Sequence, residues 1–163
     1  MIEPEIIVFD TNPSVIRVLE ASLRLPFMSF AVGTGPEVVK SKHLDAMWLT
    51  PMQAERYGAM PPFPLHAAQI LVTPEVELRK GFARLVITGV AISRDDPRDP
   101  QWQLRLVVRA LAKAIKEGAE TRTFSVRRVG MLPESLFLHK LSVNEALPII
   151  ETAYHEYYPA AHS

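Results

Sequence analysis

The chain has 163 residues, 48% of them hydrophobic and 22% charged, with 18 basic side chains against 18 acidic ones and no cysteine. Such length and usage suit one globular domain with a continuous core. The cancelled charge supplies no long-range field for nucleic acid, which is therefore not an expected partner, and the missing thiols exclude disulfides and cysteine-held zinc or iron–sulfur clusters from this chain.

In chain order, the first element is "EIIVFD", Glu5 to Asp10, an unbroken apolar run of the kind covered on both faces of a sheet. "TNPSVIRVLEASL" follows as a helix: Asn12 caps it, Pro13 sits at the first helical position where its missing N–H is harmless, and Val15, Leu19 and Ser22 or Leu23 recur at helical spacing. "FMSFAV" reads as a second strand and "LDAMWLTP" as a third, ended by Pro51, which cannot donate to a ladder, with a polar loop after it. "AAQILVTP" and "RLVITGVAIS" are the next two strands, separated by the charged "EVELRKG". Asp99 and Pro100 repeat the cap-plus-proline device and open the longest helix, Gln101 to Glu117, with Leu104, Val108, Leu111 and Ile115 as its buried stripe and Gly118 as its stop. Arg105, Arg109, Lys113 and Lys116 share another face, which reads as solvated. "TFSVRRVG" is the sixth strand, with Arg127 and Arg128 on opposite sides of it. The last helix starts at the capping box Ser142-Val-Asn-Glu145, and Pro148 either kinks its first turn or marks where its regular part begins.

Strands alternating with helices give an α/β layered fold, and no repeat or low-complexity segment divides residues 1–163. The longest apolar runs, such as Leu85 to Ser93, fall short of the roughly 20 residues that cross a bilayer, so no membrane partner is expected. The opening "MIEPEIIVFD" has acids and no basic residue, unlike a secretory signal, and a cytoplasmic location is the expectation. The five histidines show no ligand spacing, and no Gly-x-Ser-x-Gly elbow occurs, so neither metal nor catalytic nucleophile is expected. A receiver domain would need an aspartate where the third strand ends in Thr50-Pro51, and a dinucleotide-binding unit would need glycines in "DTNPSV"; both readings fail there.

The wording "IIVFDTNPSVIRVL", "LDAMWLTPMQA", "LHAAQILVTP", "RLVITGVAIS", a long helix, "TFSVRRVG" and a closing helix resembles the macro domain family over nearly the whole chain. It is most similar to the branch that opens with a D-x-N-P turn, here Asp10 to Pro13, and has "DAIVSPANS" on its third strand; Asp45 to Trp48 match that strand, Thr50-Pro51 its Ser-Pro, and Gln53 falls near its Asn with one inserted residue. The resemblance implies a three-layer α/β/α fold: a mixed, mostly parallel six-stranded sheet with helices on both faces and a crevice at the carboxyl ends of the strands. It also implies ADP-ribose or a related nucleotide as ligand, with hydrolysis of ADP-ribosyl bonds or a terminal phosphate in some members. On this pattern the crevice candidates are Asp10, Thr11, Asn12, Thr34, Gly35, Thr50, Gln53, Ser93 and Gly130.

A diphosphate cradle needs converging backbone amides, which glycine permits and proline removes. The segment expected to form the first phosphate loop, "MQAERYGAMPPFPL", has one glycine and three prolines, and the second, "RRVGMLPESLFL", keeps Gly130 alone. The helix expected after the first loop is absent by this reading, since so few residues separate Pro51 from "HAAQ". Gln53 is one methylene longer than the family's Asn, which misplaces its amide. The sequence therefore leads to a non-catalytic binding or protein-interaction module without cofactor, with Met52, Tyr57, Met60 and Phe63 as an apolar surface for a partner or a second copy. The alternative is an ADP-ribose or nucleotide-binding module with weak ADP-ribosyl hydrolase activity.

Overall fold

The computed structural model describes residues 3–58, 65, 69–78, 81–88, 100–133 and 141–159. Six strands, β1 (Glu5–Asp10), β2 (Met28–Val32), β3 (Ala46–Leu49), β4 (Ile70–Leu78), β5 (Gly81–Thr88) and β6 (Arg128–Met131), form one sheet in the order β2-β1-β6-β3-β5-β4. Every neighbouring pair is parallel except β4 with β5, so the sheet is mixed and mostly parallel, as the sequence led us to expect. Among the described residues five helices accompany it: α1 (Pro13–Ser22), α2 (Gly35–Ser41), α3 (Pro51–Arg56), α4 (Pro100–Glu120) and α5 (Val143–His155).

Strand alternation divides the core into two layers. Ile6, Val8, Ala46, Trp48, Val86, Val129 and Met131 point to one face and pack with Leu19 of α1, the Leu104–Val108–Leu111–Ile115 stripe of α4, and Ala146, Ile150 and Ala153 of α5. Ile7, Phe9, Met47, Leu49, Leu85 and Ile87 point to the other and pack with Val38 and Val39 of α2 and Ala54 of α3. Both sides being covered is why the inner strands carry no polar alternation, and the result is a three-layer α/β/α arrangement.

Several local expectations need correction. Helix α4 does not stop at Gly118. It runs through that buried glycine to Glu120, and Thr123 N–H and Phe124 N–H then both donate to Gly118 O, at 2.9 and 3.3 Å. Arg122, at φ 57°, takes the left-handed position that ends the helix, while Gly118 is small because the Phe124 ring lies on it. Strand β4 does not end at Pro74 either. It continues to Leu78 with a register shift between Val72 and Glu75, where Thr73 Oγ1 accepts from Leu85 N–H at 2.9 Å. An edge strand with a bulge tolerates a proline that an inner strand would not. Pro148 lies within a continuous α5 that begins at the Ser142 capping box.

Arg127 and Arg128 sit at the amino end of β6, away from the carboxyl ends of the strands, where both backbone N–H groups donate to Asp45 Oδ2 at 2.8 and 3.1 Å. The Arg128 guanidinium donates to Lys42 O at 2.9 Å. Arg105 and Arg109 of the basic stripe both pair with Glu156 just beyond α5, at 2.9 and 2.6 Å, which ties the two helices together. Their neighbour Lys113 lies 3.9 Å from Glu117 on the same helix. At the far end of the core, Tyr154 stacks on Phe27 with ring centroids 3.7 Å apart and donates its hydroxyl to Pro4 O at 2.6 Å.

Candidate functional site

In an open α/β sheet a ligand crevice opens at the carboxyl ends of the strands, where successive connections leave to opposite faces. Here the chain leaves β1 through α1 on one face and leaves β3 through α3 on the other, with β6 between them. The switch point is therefore bounded by Asp10 to Asn12 after β1, by Thr50 after β3 and by Leu132 and Pro133 after β6.

The residues at this edge bind one another. Asp10 Oδ1 accepts from Asn12 N–H at 2.8 Å, and Asp10 O accepts from Gly33 N–H at 3.0 Å, which joins the ends of β1 and β2. Asn12 Oδ1 accepts from Ser14 N–H at 3.0 Å, and it caps α1 as its place before Pro13 predicts. Thr11, exposed, stands between them. After β2, Thr34 caps α2 by a reciprocal box: its Oγ1 accepts from Glu37 N–H at 3.4 Å, while its own N–H and hydroxyl donate to Glu37 Oε1 at 3.3 and 2.8 Å. After β3, Thr50 and Gln53 do the same for α3, with Gln53 N–H to Thr50 Oγ1 at 3.2 Å and Thr50 N–H to Gln53 Oε1 at 3.0 Å.

The last pair differs from the others in depth. Thr50 is 5% exposed and Gln53 2%, so this box is sealed inside the molecule. The stretch expected to be a polar loop after Pro51 is thus the short helix α3, with Pro51 in its first turn, and the Gln53 carboxamide oxygen faces the backbone of Thr50. Helix α3 ends at Arg56 with Tyr57 as its cap, and Gly58, at φ 73°, closes the turn with its N–H on Glu55 O at 3.0 Å.

Tyr57, the residue before that glycine, turns its ring onto α2. A Cβ on Gly35 would collide with the Tyr57 phenol oxygen, so the first residue of α2 has no side chain because the phenol occupies that space. Burial pushes the Tyr57 hydroxyl above its ordinary pKa, outweighing the opposite pull of the Arg56 charge. The phenol consequently keeps its proton to higher pH than a free tyrosine does.

Gly130 is placed elsewhere than at the crevice loop. It is the third residue of β6, buried, and a Cβ there would run into Leu44 and Phe9. Its small size lets α2's layer settle on the sheet. Ser93, Met60, Phe63 and the acidic turn Arg94 to Asp99 lie outside the described residues. The structure therefore brings together Asp10, Thr11, Asn12, Thr34, Gly35, Thr50 and Gln53 along one edge of the sheet and sets Gly130 apart within a strand.

The chain matches no known family model, curated protein or solved structure. Among the described residues, no group of three or more His, Asp or Glu is arranged to hold a metal ion, and no helix is long and apolar enough to cross a membrane.

Sequence reasoning missed two features. The boxes at Thr34-Gly-Pro-Glu37 and Thr50-Pro-Met-Gln53 follow the same S/T-x-x-E/Q rule that located α5, and that signal was available in the sequence. The seat of Tyr57 on Gly35 had no local signal, because it joins residues 22 positions apart.

Proposed function

We propose that the chain is a macro-like binding module that has given up small-molecule chemistry at its strand-end crevice and works through contact with a protein partner or a second copy of itself. The observation that carries this reading is the seat of Tyr57 on Gly35, beside a buried box in which Thr50 and Gln53 face each other. A pyrophosphate needs several backbone amides aimed at its oxygens. At this edge the N–H groups of Asn12, Gly33, Thr34, Glu37, Thr50 and Gln53 already have intramolecular acceptors. Hydrolysis would further need an activated water or nucleophile beside a polarised bond, whereas Asn12, Thr34 and Thr50 cap helices and Asp10 Oδ1 accepts from Asn12 N–H. Two apolar side chains at this edge are exposed instead, Met52 at 72% and Val32 at 52%. Methionine adapts its shape to whatever it meets, which suits a contact surface. A cytoplasmic setting, in keeping with a cysteine-free chain, belongs to the same proposal.

A second reading, as an ADP-ribose or nucleotide-binding module with weak hydrolase activity, rests on Asp10, whose carboxylate stands at the end of β1 where a ribose hydroxyl would approach. Thermal unfolding with added ADP-ribose and ADP separates the two. A ligand at a hundred times its dissociation constant adds about 2.7 kcal/mol, a shift of several degrees for a domain of this size. We expect an unchanged midpoint; a dose-dependent rise with ADP-ribose would transfer the argument to the second reading.

A further inference from the structure

Between helices α4 and α5 lies an open groove of about 460 Å³ lined, among the described residues, by Gln101, Trp102, Arg105, Pro148, Ile149 and Thr152. That volume lies within the range of small-ligand sites, which combine apolar walls with a few polar groups. Trp102 and Arg105 are one turn apart on α4, and Ile149 and Thr152 one turn apart on α5, so each helix offers an apolar surface and a hydrogen-bonding group to the same space. Trp102 is 44% exposed, an unusual position for so large a ring. Pro148 adds a rigid apolar wall opposite it.

The charge of the site is specific. Arg105 Nη2 and Arg109 Nε both pair with the one carboxylate of Glu156, at 2.9 and 2.6 Å, so two guanidinium charges face a single negative one and the cluster keeps one positive charge. Arg105 is the charged residue among the described residues that line the groove, and its side chain is 50% exposed. A guanidinium has five N–H donors, and the bond to Glu156 uses one of them. The groove also lies at the start of α4, whose 21 residues place the positive end of their dipole there.

We propose that this groove binds an aromatic monocarboxylate, its ring against Trp102 between the α4 and α5 walls and its carboxylate on Arg105. One negative charge matches the net positive charge of the Arg105–Arg109–Glu156 cluster. The planar fork of a guanidinium suits a carboxylate, held through two parallel hydrogen bonds.

Titrating the whole protein with 2-naphthoate while recording amide and indole NMR spectra tests this. The chain has two tryptophans, and Trp48 is 4% exposed in the core, so it serves as an internal control. The Trp102 indole resonance is expected to shift saturably while that of Trp48 stays in place. The uncharged 2-naphthamide, and 2-naphthoate with the Arg105→Gln variant, should each bind about tenfold more weakly, as loss of a charge-assisted hydrogen bond implies. Arg105 is a half-exposed surface residue, so the variant keeps its core. A Trp102 resonance that does not move, or that responds equally to the amide or in the variant, would overturn the proposal.

Discussion

Replacing Gly118 by alanine sets helix propensity against packing, and the structure decides the sign. In the interior of an exposed helix, alanine is better than glycine by about 1 kcal/mol, and Gly118 is followed by two more helical residues. Propensity alone therefore predicts a gain. The new Cβ would, however, point into the Phe124 ring, held there because Thr123 N–H and Phe124 N–H both bond to Gly118 O. Phe124 packs on the larger core cluster, and the Arg84 guanidinium carbon lies 5.7 Å from its ring centroid. Pushing such a ring aside costs about 1–3 kcal/mol. The net result for Gly118→Ala is a loss of about 1 kcal/mol, from a total that for such domains is only about 5–15 kcal/mol. With Phe124→Ala already present, the obstacle is gone and the same substitution should stabilise by about 1 kcal/mol, a coupling of about 2 kcal/mol between the two positions. Urea unfolding of the four proteins of this cycle, compared at constant slope, measures it. An equal gain from Gly118→Ala in both backgrounds would refute the packing argument.

Two further outcomes follow from particular contacts. Thr50→Ala removes the cap of α3 inside the molecule, and because the Gln53 N–H loses its acceptor away from water, the cost should lie at the upper end of the range for caps, about 2 kcal/mol by urea unfolding, against about 1 kcal/mol for the exposed cap Ser142→Ala. Alkaline titration should unfold the protein through its C-terminal aromatic cluster. Burial pushes the Tyr158 hydroxyl up to about 12, and burial together with the Glu3 charge pushes Tyr154 upward as well. A phenol whose pKa is raised on folding stabilises fully below the unfolded value of about 10 and loses that contribution as pH rises through the folded value, so stability should fall above about pH 10 by up to about 1.4 kcal/mol per pH unit for each such group. Tyr158→Phe should flatten that fall as followed by circular dichroism; an unchanged slope would contradict the assignment.

The elements legible in the sequence were those whose signals are local and redundant. Helix α1 has Asn12, Pro13 and an apolar stripe all in agreement, α5 has its Ser142 box, and the long stripe of α4 is sustained over several turns. Misreadings arose where a local punctuation mark was overruled by its surroundings. Gly118 looks like a stop because glycine commonly ends helices, yet its smallness serves Phe124 and the chain turns at Arg122 instead. Pro74 looks like a strand end, but on an edge strand with a bulge it costs no ladder bond that matters. Pro51 looks like a break and is in fact the start of α3. The layered α/β fold could be expected from the alternation of elements, and the mixed sheet from the resemblance alone. Its strand order could not, because pairing of β6 between β1 and β3 is set by contacts across most of the chain. The candidate edge was legible to the same extent: Asp10 and Thr50 end strands that could be read, whereas the Tyr57 seat on Gly35 depends on how α2 and α3 are brought side by side.

The most direct test of the central claim, that side chains of the protein itself close the strand-end crevice, is a crystal soaked with ADP-ribose. The account predicts Tyr57 in place on Gly35, with no nucleotide between Asp10, Gly35 and Thr50. A pyrophosphate found at that edge, with the phenol swung away to admit it, would contradict the claim outright.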